Sequence, residues 1–142
     1  MSFLLDTNVV SELRKPERVC AISVREWARA HDPESLYLSV LTVQELETGI
    51  GRIERRDAAQ GRALRLWLEE HLLRQFEHRI LSIDLPIARR AAQWHVPHPR
   101  PWVDAMIGAT AFLHGLTVVT RNIRDFEPLG VPTINPWGRP AR

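Results

Sequence analysis

A rhythm constrains this chain more than any single residue does. Short apolar runs, each too brief for a helix, alternate with stretches of helical periodicity. Phe3-Leu4-Leu5, Leu36-Tyr37-Leu38-Ser39, Arg79 to Ile83 and Leu116 to Thr120 have the length of strands and end in polar or turn-forming residues. Between them, apolar residues recur every three or four positions. Strands alternating with helices pair in parallel, because each connection must cross back over the sheet, and helices then cover both faces. The expectation is an α/β chain: a three-layer sandwich with a central parallel sheet of four to five short strands flanked by helices.

The spacing predicts a first strand over 2–6 and a helix from Thr7 to about Arg14, stopped by Pro16. A helix follows over 18–31, with Val19, Ile22, Trp27 and Ala30 among its apolar positions. Thr42 to about Arg56 is helical, with Val43, Leu46, Ile50 and Ile53 in register. A long helix over 57–78 carries Leu64, Trp67, Leu68, Leu72 and Phe76. Because these helices fall between the second and third strands, the sheet carries a helical insertion. Leu85 to Trp94 is the next helix, and 96–100 a rigid connector. A helix over 101–114 opens on Pro101 and closes before Gly115. A polar loop follows the strand ending at Thr120, and 132–135 is the last short strand. No repeat or linker divides the 142 residues, so the expectation is a single domain over 1–142.

Composition excludes more than it selects. The chain is 44% hydrophobic and 25% charged with a net charge of +2, ordinary for a soluble globular protein. Cys20 is the sole cysteine, so there is neither an internal disulfide nor a cysteine-rich zinc framework, in keeping with a cytoplasmic location. The first residues carry no basic n-region and their apolar stretch is broken at Asp6, so a signal peptide is not expected, and no apolar run reaches the roughly 20 residues of a membrane span. Lys15 is the only lysine among 19 basic residues. Arginine suits bidentate phosphate contacts, and a biased genome composition produces the same count.

Chemistry concentrates in acids. Asp6 ends the first strand and Asp125 lies just past the strand that ends at Thr120, so both fall at the edge where open α/β sheets hold ligands. Asp104 lies in the first turn of the 101–114 helix, with Gly108 and Ala111 further along its face. Such small residues serve either a crowded cleft or tight helix packing. The 42–56 helix offers Glu45 and Glu47, about 120° and about 80° from the centre of its apolar stripe at about 100° per residue. Periodicity does not choose between them. Glu45 shares its face with Thr42 and Gly49, and Gly49 is read as admitting a close neighbour, which mildly favours Glu45. Taken singly, each of these residues has an ordinary structural explanation, such as a helix cap or a solvated helix charge.

Taken together they resemble a family. Asp6-Thr7-Asn8-Val9-Val10-Ser11-Glu12-Leu13 resembles the opening of PIN-domain ribonucleases, especially VapC-type toxins and their FitB-like relatives. Val43-Gln44-Glu45-Leu46-Glu47-Thr48-Gly49 resembles their second motif, in which the Glu before Leu is the acid. Asp104-Ala105-Met106-Ile107-Gly108-Ala109-Thr110-Ala111 resembles the third, and Thr120-Arg121-Asn122-Ile123-Arg124-Asp125-Phe126 the fourth. Each motif alone is weak, but four in order across nearly the whole chain are specific.

The resemblance implies a PIN-like, Rossmann-like fold that gathers Asp6, Glu45, Asp104 and Asp125 in one pocket. Clustered carboxylates raise one another's pKa, and a hard divalent cation, Mg²⁺ with Mn²⁺ as substitute, relieves the conflict. It implies Asp6 and Asp104 as direct ligands, with Glu45 and Asp125 ligating or orienting water, and Thr7, Asn8 and Asn122 supporting them. Arg121, Arg124 and Arg52, with Arg55 and Arg56, are either contacts for an RNA backbone or solvated helix ends. The implied function is the toxin of a type II toxin–antitoxin system, an endoribonuclease acting on tRNA or rRNA. A VapB-type antitoxin would inhibit it, as part of a homodimer that becomes a heterotetramer or larger assembly and meets operator DNA only through the antitoxin. The alternatives are a FitB-like binding module acting within an antitoxin–DNA complex, or a housekeeping RNA-processing PIN nuclease. His95 and His98, separated by Pro97, read as loop residues. Cys20 reads as a core thiol, Trp67 and Trp94 as core, and Trp102 and Trp137 as candidates for a subunit interface.

Overall fold

The computed structural model describes residues 1–138. In chain order the elements are β1 (Phe3–Leu5), α1 (Thr7–Arg14), α2 (Ile22–Arg29), β2 (Leu36–Ser39), α3 (Val40–Arg56), α4 (Ala58–Trp67), α5 (Leu73–Gln75), β3 (Ile80–Leu81), α6 (Leu85–Trp94), α7 (Trp102–His114), β4 (Thr117–Val119), α8 (Ile123–Phe126) and β5 (Thr133–Ile134). The five strands form one sheet in the order β3-β2-β1-β4-β5, and every pair is parallel.

That order locates the site. From β1 the chain builds outward through β2 and β3, then crosses to the other side of β1 for β4 and β5. The direction reverses between β1 and β4, and such a switch point opens a crevice at the C-terminal ends of the strands. Leu5 pairs with Val119, and the Asp6 N–H donates to the Val119 carbonyl at 2.9 Å. The residues that follow each strand, Asp6 and Thr120, therefore meet across the crevice.

The strands are continuous apolar runs because helices cover both faces. Alternation sends Phe3, Leu5 and Val119 into a core with Val9, Val24, Leu46, Leu64 and Leu68, while Leu4 and Val118 pack with Ile107, Phe126 and Leu129 on the opposite face. Leu4 is 0% and Leu5 1% exposed, and burial of a leucine side chain contributes about 2 kcal/mol. A third cluster, Ile87 and Ala91 of α6 against Ala105 and Ala109 of α7, holds those two helices together. Where α4 turns back onto α3, a Cβ on Gly61 would stand 2.6 Å from the Glu54 Cα. Only a glycine admits that approach, and it lets Arg65 of α4 reach two acids of α3.

Most expected elements are present, with differences at their ends. The helix expected over 18–31 starts at Ile22; the N–H groups of Val19 and Cys20 fold back onto the Pro16 carbonyl, making a turn that buries Cys20. Val19 and Ile22 are therefore 58% and 63% exposed, and Val24 is the residue that enters the core. The 57–78 helix is interrupted by a wider π turn over Leu68–Leu72, which keeps both leucines buried, and it ends at Gln75. Pro101 sits just ahead of α7 as its cap rather than inside it, and Gly115 ends α7 with φ 66°, the left-handed conformation glycine adopts freely. The loop after Thr120 contains the short helix α8. No helix among the described residues is long and apolar enough to cross a membrane.

Candidate functional site

Asp6 ends β1 in extended conformation and caps α1, its Oδ1 accepting the Thr7 N–H at 2.8 Å. This is the ordinary service of a helix cap. The other oxygen does more: Oδ2 accepts the Thr120 hydroxyl at 2.8 Å and the Asn8 side-chain N–H at 3.3 Å. Thr120 is fully buried and also accepts the Asn122 N–H at 3.0 Å and Asn8 Nδ2 at 3.3 Å. Asn8 Oδ1 takes the Arg121 N–H at 3.2 Å. Asp6-Thr7-Asn8 is thus laced to the end of β4. Asn122 participates through its main chain, and its side chain makes no hydrogen bond among the described residues, unlike the supporting role expected of it.

Glu45 reaches the same edge from α3, where its Oε1 accepts the Thr7 hydroxyl at 2.7 Å. Glu47 points elsewhere: it pairs with Arg65 across the α3–α4 seam, and Arg65 also holds Glu54 at 2.8 Å. Tertiary contacts thus separate two acids that periodicity left equivalent. The support sought from Gly49 is not found, because nothing lies within 4 Å of where its Cβ would be. Gly108 answers its question in favour of packing: a Cβ there would stand 2.7 Å from Leu129 Cδ1.

Asp104, in the first turn of α7, and Asp125, in α8, complete the group. Burial raises the Asp104 carboxyl to about 7, helped by the charges of Asp6, Asp125 and Glu45 and by a hydrogen bond with Asp125. Burial also raises Asp6, against the opposing hydrogen bonds from Thr120 and Thr7. None of the four acids is ion-paired among the described residues. No three His, Cys, Asp or Glu side chains of the described residues stand close enough together to hold a metal ion as they are. The crevice is therefore lined with hard oxygen donors that no cationic side chain of the described residues neutralises. That donor chemistry fits a divalent cation, which Asp6, Asp104, Glu45 and Asp125 would hold through carboxylate oxygens.

Of the expected arginines, Arg121 is exposed and its guanidinium lies 5.0 Å from the Trp137 ring centroid, a cation–π contact that restrains it beside the crevice. Arg124 is exposed on α8, and Arg52 is exposed on α3. His95 accepts the Arg100 N–H within the connector, and Trp102 is 58% exposed. An apolar cleft on a different flank, lined by Val10, Leu13, Trp67, Arg14, Arg25 and Arg29, contains none of the four acids. Thr42 and Thr120 are the two residues in contact with this network that were not named from the sequence as site residues. Their signal was a hydroxyl on an otherwise apolar strand end and on the buried face of a helix.

Comparison with known proteins places the fold in a family. The PIN domain family model matches residues 3–130. The VapC ribonuclease Y4jK of Sinorhizobium fredii is 37% identical over 142 residues, covering 94% of this chain and 96% of that protein. The solved structure of FitAB bound to an IR36 DNA fragment superposes with a TM-score of 0.86 at 32% identity, covering 98% of each chain. A toxin–antitoxin complex from Klebsiella pneumoniae superposes with a TM-score of 0.69 at 29% identity, covering 95% of this chain and 98% of that one.

Proposed function

The chain belongs to the PIN-domain family, and from that premise we propose that it is the toxin of a type II toxin–antitoxin pair, a divalent-metal-dependent endoribonuclease restrained by a cognate antitoxin. The observation that carries this is the set of four acids at the β1–β4 switch point, where burial first and the neighbouring carboxylates next raise Asp104 to about 7, without a cationic partner among the described residues. A pure scaffold has no use for such a set; a metal site does.

In this proposal Asp6 and Asp104 hold Mg²⁺ or Mn²⁺, and Glu45 and Asp125 ligate it or orient the attacking water. The bound cation supplies positive charge for a phosphate oxygen and lowers the pKa of a coordinated water. The rest is done by the chain itself. Thr120 and the Thr7 N–H hold the two oxygens of Asp6 in fixed directions. Asp104 keeps its proton up to about pH 7, so a cation taken up there would displace that proton. Arg121, restrained by Trp137, with Arg124 and Arg52, offers guanidinium groups to an RNA backbone that bare carboxylates would repel. The substrate class is structured RNA such as tRNA or rRNA. The partners are a second copy of the chain and an antitoxin through which the complex reaches operator DNA.

The test is cleavage of total RNA by the purified chain with Mg²⁺ or Mn²⁺. Cleavage should stop in EDTA and be absent in Asp104→Asn, which retains the fold by circular dichroism. Undiminished cleavage in chelator, or equal cleavage by the variant, would overturn the proposal. A second reading, a binding module with little nuclease activity, is favoured by the DNA-bound FitAB relative. Promoter binding by the purified complex, with no RNA cut by the free chain, would establish it instead.

A further inference from the structure

Glu45 is the only one of the four acids that is solvent-exposed. A glutamate there would ordinarily sample many rotamers, yet its Oε1 is held 2.7 Å from Thr7 Oγ1. Thr7 Oγ1 also lies 3.2 Å from Thr42 Oγ1. A hydroxyl has one proton to give. Thr7 gives its proton to the Glu45 carboxylate, so the contact between the threonines must use the proton of Thr42. The result is a directed chain in which Thr42 donates to Thr7 and Thr7 donates to Glu45.

Thr42 has no evident reason to carry a hydroxyl otherwise. It is 0% exposed, on the face of α3 that packs inward, where valine would fill the same space. A helical threonine commonly bonds back to the carbonyl one turn earlier. Thr110 of α7 does so, donating to the Met106 carbonyl at 2.8 Å. Thr42 makes no such bond, and Thr7 is its one hydrogen-bond partner among the described residues. A buried hydroxyl needs a partner, and this one is spent on the residue that holds Glu45. We infer that Thr42 is a positioning residue for Glu45: through Thr7 it fixes Oε1 and leaves Oε2 without a hydrogen-bond partner among the described residues. The strength of the chain comes from polarisation, since a hydroxyl that accepts a hydrogen bond donates a stronger one.

The functional consequence rests on the proposal that the crevice holds a metal; the orientation of Glu45 does not. The experiment separates the two. Wild type, Thr42→Val, Thr42→Ser, Thr7→Val and the Thr42→Val/Thr7→Val double variant are compared as full chains. The readouts are the ¹³C resonance of the Glu45 carboxyl, assigned with Glu45→Gln, the affinity for Mn²⁺, and RNA cleavage. Thr42→Val should move the resonance and weaken Mn²⁺ binding about tenfold, the usual scale for an outer partner of a metal ligand. Thr42→Ser should restore both, and in the Thr7→Val background Thr42→Val should add nothing. An unmoved resonance in Thr42→Val, failure of serine to rescue, or fully additive losses in the double variant would overturn the inference. If the wild type neither binds Mn²⁺ nor cuts RNA, the proposed function falls, and the resonance with its serine rescue decides the role of Thr42 alone. Should Thr42→Val not fold, Thr42→Ala, which also lacks the hydroxyl, takes its place.

Discussion

Replacing Asp104 with asparagine should stabilise the metal-free chain while abolishing its cleavage of RNA. The carboxyl rises from its ordinary 3.8 to about 7 in the folded state, with burial the largest cause and the charges of Asp6, Asp125 and Glu45 following. A rise of about three units corresponds to about 4 kcal/mol at about 1.36 kcal/mol per unit. Asp104 is only half-buried, and solvent screening brings the expected effect to about 2 kcal/mol. The sign follows from proton linkage. Between pH 4 and pH 7 the folded chain keeps a proton that the unfolded chain has lost, so stability falls as the pH rises through that window. Asparagine mimics the protonated acid and can still donate to Asp125. Its advantage should be about 2 kcal/mol at pH 8 and under about 1 kcal/mol at pH 5. Urea unfolding in EDTA, followed by circular dichroism at both pH values, measures this directly. Saturating Mn²⁺ should reverse the order, because only a chain that binds the ion gains from it by mass action. A variant no more stable than wild type at pH 8, or an equal gain at both pH values, would refute the electrostatic account of the site.

Three further outcomes are expected. Gly61→Ala should lower stability by about 1–3 kcal/mol despite alanine's better helix propensity, because its Cβ meets the Glu54 backbone at 2.6 Å; thermal melting reads it, and a higher midpoint would contradict the packing of α4 on α3. Thr120→Val removes the buried donor to Asp6 Oδ2 and should weaken Mn²⁺ binding about tenfold, with Thr120→Ser close to wild type in a calorimetric titration. Arg121→Ala should raise KM for RNA with kcat little changed and reduce the salt dependence of binding; a loss confined to kcat would show that Arg121 does not act on the RNA backbone.

The strands and the helices next to them were legible because burial on two faces demands uninterrupted apolar runs, and Phe3–Leu5, Leu36–Ser39 and Thr117–Val119 have no other use. Helix α1 was legible to its last residue, since Asp6 starts it and Pro16 forbids its continuation. Failures fell where local pattern carried no information about neighbours. Val19 and Ile22 have the spacing of an apolar helix face, but the turn at Pro16 leaves them in solvent. Gly49 has the sequence setting of a close approach and is open, while Gly61, which periodicity does not single out, sits where a Cβ would meet the Glu54 backbone.

By itself, the order of residues determined the α/β alternation, the parallel pairing it enforces, and the placement of Asp6 and Asp125 beyond strand ends. These follow from period and burial, which are properties of adjacent residues. The motif resemblance nominated the four acids, and only the tertiary structure supplied contacts that tell Glu45 from Glu47. Glu45 and Glu47 are two residues apart on one helix; Thr7 claims the first, and Arg65, admitted by Gly61, claims the second. Thr120 comes to Asp6 from 114 positions away because β4 lies beside β1. Electrostatic coupling and hydrogen bonding act through distances of a few ångströms, and those distances are set by strand order and helix packing.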